Sequence, residues 1–215
     1  LNMQLRKDVW GDVRPTDFQM FLKRNMDNGI YDPTFVKKWD QVEIGILGNY
    51  INHNRDDLFT YAGLQQMIDK YLVKNRSTGV IHETPQFAYM SIAMCLFSSL
   101  DDVKEAYDCY STFQINLPTP IMAGVRTNIR QFASCVLIDV DDDLDAIFSS
   151  VHAVGKYTAR RAGIGLNIGR IRPINSPIRG GEVIHTGLIP YLKNFESAVK
   201  STSQNGLRGG SATVH

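Results

Sequence analysis

Near residue 113 the spacing of apolar residues changes, and this change limits the possible folds more than any other feature of the chain. Upstream, apolar residues recur at helical intervals; downstream come short apolar runs, Gly-rich turns and two amphipathic helical stretches. The pattern predicts a mostly helical region with a small hairpin over 1–112 and an α/β region over 113–215.

The stretch LPTPIMAGVRTNIRQFASCVLI, Leu117 to Ile138, carries the transition. Proline on both sides of Thr119 removes two backbone donors and disfavours helix, so its hydroxyl is expected on a rigid extended segment. After a Gly124-Val125-Arg126 turn, Cys135 enters Val136-Leu137-Ile138, which reads as a short buried strand. A thiol at the mouth of a strand, with hydroxyls at Ser134 and Thr119 nearby, suits a pocket that holds a polar small molecule against sulfur chemistry. A core cysteine is the competing reading.

Composition narrows the class. The chain has 215 residues, 43% of them hydrophobic, enough for a real core in one or two domains. With 23 basic and 22 acidic residues the net charge is +1, so no basic field argues for nucleic acid or a membrane surface. No apolar run approaches the roughly 18 residues of a membrane-spanning helix. Cys95, Cys109 and Cys135 form neither a disulfide framework nor a metal-binding spacing, which points to a reducing, cytoplasmic setting. Leu1, Met3 and Leu5 enter as if in mid-helix, and Ser211-Ala212-Thr213-Val214-His215 reads as a strand just begun. A piece of a longer protein is the expectation.

In the helical region, Thr16 is expected to cap a helix that Asn28-Gly29 ends, and Asp32-Pro33 starts another. Phe35, Trp39, Val42 and Ile46 then form one apolar stripe. Tyr61 to Asp69 is a further short helix. Tyr71-Leu72-Val73 and Val80-Ile81 flank Arg76-Ser77-Thr78-Gly79 as a small hairpin, and Thr84-Pro85 opens an apolar helix containing Cys95. Cys109 falls in the next helix; both thiols read as inert core.

The second region holds the polar constellations. Asp139 to Asp145 (DVDDDLD) precedes a helix from about Leu144 to Tyr157. Its charge either complements the helix dipole or supplies a carboxylate to a ribose hydroxyl. Gly163 and Gly165 either admit a ligand to the backbone or serve packing; with Leu166 to Ile171 as the following strand, they fail as a dinucleotide fingerprint. Arg172 and Arg179, in RPINSPIRGGE, suit phosphate binding through forked donors, or belong to a solvated surface loop. A helix from Pro190 to Lys200 leads into a Gly-rich loop over 201–210 that is not expected to hold one conformation without a partner.

Six stretches carry a resemblance: KYLVKNRSTG, FQINLPTPIMAGVRT, RQFASCVLID, RRAGIGLNIGRIRPINSPIRGGE, HTGLIPYLKNFESAVKS and SQNGLRGGSATVH. Long, collinear and spread over most of the chain, they are similar to the large catalytic subunit of class I ribonucleotide reductases, the ribonucleoside-diphosphate reductases. An adenosylcobalamin-dependent relative is a weaker match. The resemblance implies the helical region ahead of a ten-stranded α/β barrel, then the first part of that barrel, incomplete in this chain, with both specificity loops.

The resemblance also implies roles. Cys135 corresponds to one of the redox-active pair, under the ribose 2′ position; Thr119, Ser134, Ala162, Gly163 and Arg208 correspond to substrate contacts. Asp142, with Asp143 and Leu144 beside it, corresponds to the effector's deoxyribose site, Arg172 and Arg179 to its phosphate ligands, and Gln204 with Arg208 to the reading residues of the second loop. Asn205 departs from the glycine of many relatives, which would bias that loop. Implied activity is reduction of ribonucleoside diphosphates to 2′-deoxyribonucleotides for DNA synthesis, under dNTP and ATP control. A small subunit supplies the radical, and thioredoxin or glutaredoxin supplies electrons. No metal is expected in this chain, and the helices near 144–157 and 190–200 correspond to those of a homodimer interface. The remaining catalytic residues would lie downstream of His215 and an ATP cone, if present, upstream of Leu1; the fragment alone is expected to be inactive. Because a thiolate cannot donate a proton, Cys135 is expected to be neutral and partly buried. The alternative is a non-catalytic nucleotide-binding and dimerisation module from an inactive or split reductase.

Overall fold

The computed structural model describes residues 1–11, 15–75, 77–129, 131–160, 162–203 and 210–215. They form two compact units, Leu1–Phe132 and Ala133–His215. The division falls after Phe132 and not at 112/113, because Leu117, Ile121, Met122 and Val125 pack into the core of the first unit.

The first unit is helical: α1 Asn2–Trp10, α2 Phe18–Asp27, α3 Pro33–Val36, α4 Gln41–Tyr50, α5 Tyr61–Gln66, α6 Pro85–Leu96, α7 Leu100–Ser111 and α8 Thr119–Gly124. Asp17, not Thr16, caps α2, accepting from the Met20 N–H at 3.1 Å, and Gly29 at φ 67° follows its end. The expected single stripe from Phe35 to Ile46 is divided between two helices. Asp40 and Glu43 form a reciprocal capping box that starts α4 afresh and resets the helical phase. Phe35 and Trp39 are buried, but Val42 is 71% exposed, and Ile44 and Leu47 face the core in its place.

Helix α6 is the centre of this unit. Every residue from Pro85 to Met94 is buried, as expected of a helix apolar on all sides. Phe87 packs against Phe21 and Phe18 with ring centroids 4.2 and 5.4 Å apart. Helix α5 continues into a π-helical turn, Met67–Tyr71. The hairpin is present in minimal form, as one antiparallel bridge between Lys74 and Ile81, with Gly79 at φ 75°.

Thr119 is not on an extended segment. It is the first residue of α8, with Pro118 as N-cap. Proline is tolerated in a first helical turn, where the missing N–H would have no intrahelical acceptor, so the two prolines mark a helix start. The end of this segment is held by Arg126. Its guanidinium pairs with Glu83, donates to the Met122 carbonyl at 2.6 Å and to that of Tyr71 at 3.0 Å. The Tyr31 hydroxyl also donates to Glu83.

The second unit has three parallel strands in the order β1–β2–β5: β1 Cys135–Asp139, β2 Gly163–Asn167 and β5 Ala212–Val214. A two-stranded hairpin, β3 Pro177–Ile178 and β4 Val183–Ile184, projects between the second and third. Helices α9, Leu144–Ala159, and α10, Ile189–Thr202, pack on each other, and α9 also packs on β1 and β2. Ile147, Val154, Ile164, Leu166, Phe195 and Val199 form the core between helices and sheet. Strand β2 begins at Gly163 and ends at Asn167, earlier than the expected 166–171. Strand β1 is half-buried: Val136 and Ile138 face the helices, whereas Cys135 and Asp139 are exposed and Leu137 is 87% exposed. One sheet face is thus covered and the other open, and three strands do not close a barrel. A helical region followed by the opening strands of an α/β barrel is the architecture observed.

Candidate functional site

The open face of the sheet carries Cys135. Its sulfur lies 3.9 Å from the Ser134 hydroxyl oxygen, and the Ser134 carbonyl accepts from the Gly163 N–H at 2.8 Å. In the parallel register Cys135 stands beside Gly163 and Leu137 beside Gly165, so the strand next to the thiol presents bare backbone. At Gly165 a β-carbon would lie 2.6 Å from Leu137 Cδ2; at Gly163 it would meet only ordinary contacts, the nearest at 3.7 Å. Cys135 is exposed, not partly buried, because alternation along β1 turns it to the face opposite the helices. Ala162 is buried, with its N–H on the Tyr157 carbonyl. Thr119 belongs to the first unit, half-buried at the start of α8.

The acidic run resolves into separate roles at the C-terminal end of β1. Asp143 caps α9, accepting from the Ala146 N–H at 2.8 Å. Asp142 accepts from Arg172 twice, from the backbone N–H at 3.1 Å and from Nε at 2.7 Å. Burial pushes the Asp142 carboxyl up, but these two donors and the guanidinium charge outweigh it and hold the group below the usual carboxylate range. Asp139 and Asp141 flank Arg170, at 3.7 and 2.7 Å, and Asn167 donates to Asp139 at 2.9 Å. Leu144, the first residue of α9, is exposed.

Arg179 sits at the tip of the β3–β4 hairpin, exposed, with φ 51° and Gly180 and Gly181 also at positive φ. The structure therefore joins Asp142 to Arg172 and places Arg179 further along the same loop. Gln204 and Arg208 lie outside the described residues. Sequence reading missed Arg170, whose spacing from Arg172 matches that of Asp139 from Asp141 across the strand ends. It also missed His185, which is buried, accepts at Nδ1 from the Gly187 N–H at 3.1 Å and stacks on Tyr191.

A cavity of about 340 Å³ in the first unit, lined by Phe18, Ile44, His53 and Phe87 among others, touches none of the residues assigned to a catalytic, substrate or effector site from the sequence. Among the described residues no helix is long and apolar enough to cross a membrane, and no three His, Cys, Asp or Glu side chains gather as a metal site.

Comparison with known proteins covers both units. Residues 57–130 match the family described as "Ribonucleotide reductase, all-alpha domain", and residues 133–215 match "Ribonucleotide reductase, barrel domain". The chain is 49% identical, over 98% of its length, to the ribonucleoside-diphosphate reductase 1 subunit alpha of Salmonella typhimurium and equally to that of Escherichia coli. It is 47% identical over its whole length to the ribonucleoside-diphosphate reductase subunit alpha of Enterobacteria phage T4. The chain spans 28% of the length of the first two relatives and 29% of the third.

Proposed function

The chain belongs to the ribonucleotide reductase family, and from that premise we propose that it is part of the large subunit of a ribonucleoside-diphosphate reductase. The observation that carries this reading is the layout of β1, with Cys135 at one end and the strand running into Asp142, paired with Arg172, at the other. At about 3.3 Å per residue, β1 sets its two ends roughly 13 Å apart, with Cys135 at the first and Asp142 three residues beyond the second. Ligands of parallel α/β sheets gather beyond the carboxyl ends of strands, which supports an effector site there.

At the other end, Cys135 serves the chemistry. Replacing the 2′-hydroxyl by hydrogen, with release of water, takes two protons and two electrons from a dithiol; Cys135 and a second cysteine supply them and together form the disulfide. The bare backbone at Gly163 lets a ribose approach the thiol, and Ser134 provides a hydroxyl beside it. Thr119 and Ala162 keep the substrate-contact roles that the resemblance implies for them. Asp142, Asp143 and Leu144 would receive the sugar of a dNTP or ATP effector, and Arg172 and Arg179 its phosphates; Gln204 and Arg208 are assigned to reading base and substrate.

Exposed Leu144 and Phe148 on α9 and Ile189 on α10 support the homodimer reading for these helices. The small subunit supplies the radical, and thioredoxin or glutaredoxin regenerates the dithiol. Three free cysteines support a reducing, cytoplasmic setting. The full-length protein with its small subunit tests the proposal. Cys135→Ser abolishes dithiol-dependent reduction of ribonucleoside diphosphates and leaves effector affinity unchanged; appreciable turnover by this variant rejects the assignment of Cys135.

A further inference from the structure

We propose that His185 is a positioning residue that latches the loop carrying Arg172 and Arg179 onto helix α10, and so sets the phosphate end of the nucleotide site. The inference rests on the effector reading of this loop given above.

His185 closes the loop through its backbone and its ring together. Its N–H donates to the Ser176 carbonyl at 2.8 Å and its carbonyl accepts from the Asn175 N–H at 3.0 Å, joining the two ends of the β3–β4 hairpin. The imidazole Nδ1 accepts from the Gly187 N–H, which places the proton of the neutral ring on Nε2. The ring stacks on Tyr191 in the first turn of α10, with centroids 5.8 Å apart and planes at 23°. With 8% of its surface exposed, it belongs to the packed interior of the second unit.

The loop needs such a closure. Asn175 and Arg179 both hold positive φ, at 68° and 51°, a conformation that non-glycine residues keep only when surrounding contacts impose it. At the loop base Gly187 has φ 86°, and a β-carbon there would lie 3.1 Å from Ile174 Cβ, so the two arms approach as closely as glycine permits. Arg172 sits just before this base and pairs with Asp142, while Arg179 is carried at the tip. Without the latch, bringing both arginines to one polyphosphate would require ordering the whole loop at the moment of binding.

The test uses the full-length protein and calorimetric titration with dTTP and dTMP. His185→Phe keeps a ring against Tyr191 and loses the acceptor for Gly187; His185→Asn keeps an acceptor near the Nδ1 position. The expected result is a dTTP dissociation constant raised about tenfold in His185→Phe, equivalent to about 1.4 kcal/mol. Affinity for dTMP, whose single phosphate does not call on both arginines, stays within about twofold, and His185→Asn recovers most of the dTTP loss. In the nucleotide-free wild-type protein, the amides of residues 175–187 should already be protected from exchange, a readout that does not depend on any variant folding. An unchanged ratio of dTTP to dTMP affinity, or unprotected amides in the free protein, overturns the latch. Failure of the wild-type protein to bind either nucleotide instead rejects the effector reading on which it rests.

Discussion

Glu83 and Arg126 form an ion pair in which both side chains are fully shielded from solvent, and it fastens the end of the Thr119 segment to the helical unit. Burying two charges costs as much as or more than their attraction returns, so such a pair is weak support for stability and strong support for a specified geometry. Here Glu83 also accepts from the Val73 N–H at 2.6 Å, and the Arg126 carbonyl accepts from Asp32 N–H at 2.9 Å. Four segments distant in sequence are thereby held in one arrangement. Removing one partner leaves the other charged and buried: Arg126→Met should lower stability by about 3–5 kcal/mol. The double variant Glu83→Gln/Arg126→Met should recover at least half of that loss in urea unfolding followed by tryptophan fluorescence. Equal losses in single and double variants contradict this account.

Asp142 and Arg172 are paired before any nucleotide arrives. The pair is partly exposed, so its own contribution to stability is small, about 0–1 kcal/mol. Since the folded pKa of Asp142 is depressed, that contribution is present above the unfolded value and fades as pH falls through the folded one. The larger consequence is for binding: Asp142→Ala removes the proposed acceptor for the effector's sugar and releases Arg172. Effector affinity measured by calorimetry should fall at least about tenfold, the equivalent of 1.4 kcal/mol, with little change in melting temperature. Unchanged affinity moves the effector site elsewhere.

Asp56 and His53 should give the helical unit opposing pH dependences. Burial pushes the Asp56 carboxyl up to about 6, outweighing its hydrogen bond from Gln86 and the Arg6 guanidinium at 3.6 Å. Burial, with help from Arg6, pushes His53 down to about 4. Between these values the folded state holds the Asp56 proton that the unfolded chain releases, so that stability falls as pH rises. The folded state also lacks the His53 proton that the unfolded chain carries, so that stability rises with pH. Each slope approaches 1.4 kcal/mol per pH unit, and the two nearly cancel. Asp56→Asn should therefore gain about 2 kcal/mol from pH 4 to pH 6, His53→Phe should lose a similar amount, and the wild type should change little. Parallel curves for all three proteins would rule out this pairing.

Much of the architecture was determined by the sequence alone. Capping signals at Asp32-Pro33 and Thr84-Pro85 and the stop at Gly29 are local, so they act before any tertiary contact forms. Tertiary structure decided whatever depends on which neighbour a residue meets. Two prolines around Thr119 are compatible with extended chain or a first helical turn, and the Arg126–Glu83 anchor accompanies the helical choice. DVDDDLD reads as one acidic cluster, yet only the approach of Arg170 and Arg172 from the end of the next strand divides it into a helix cap, an Asp142 pair and an Arg170 cluster. Cys135 sits on the open face because β1 pairs with β2 in a register that sends Val136 and Ile138 to the helices, and strand pairing between residues 28 positions apart leaves no trace in local pattern. His185 was invisible for the same reason: its Gly187 and Tyr191 partners are near in sequence, but burial of the ring between loop and α10 arises only when the helix packs.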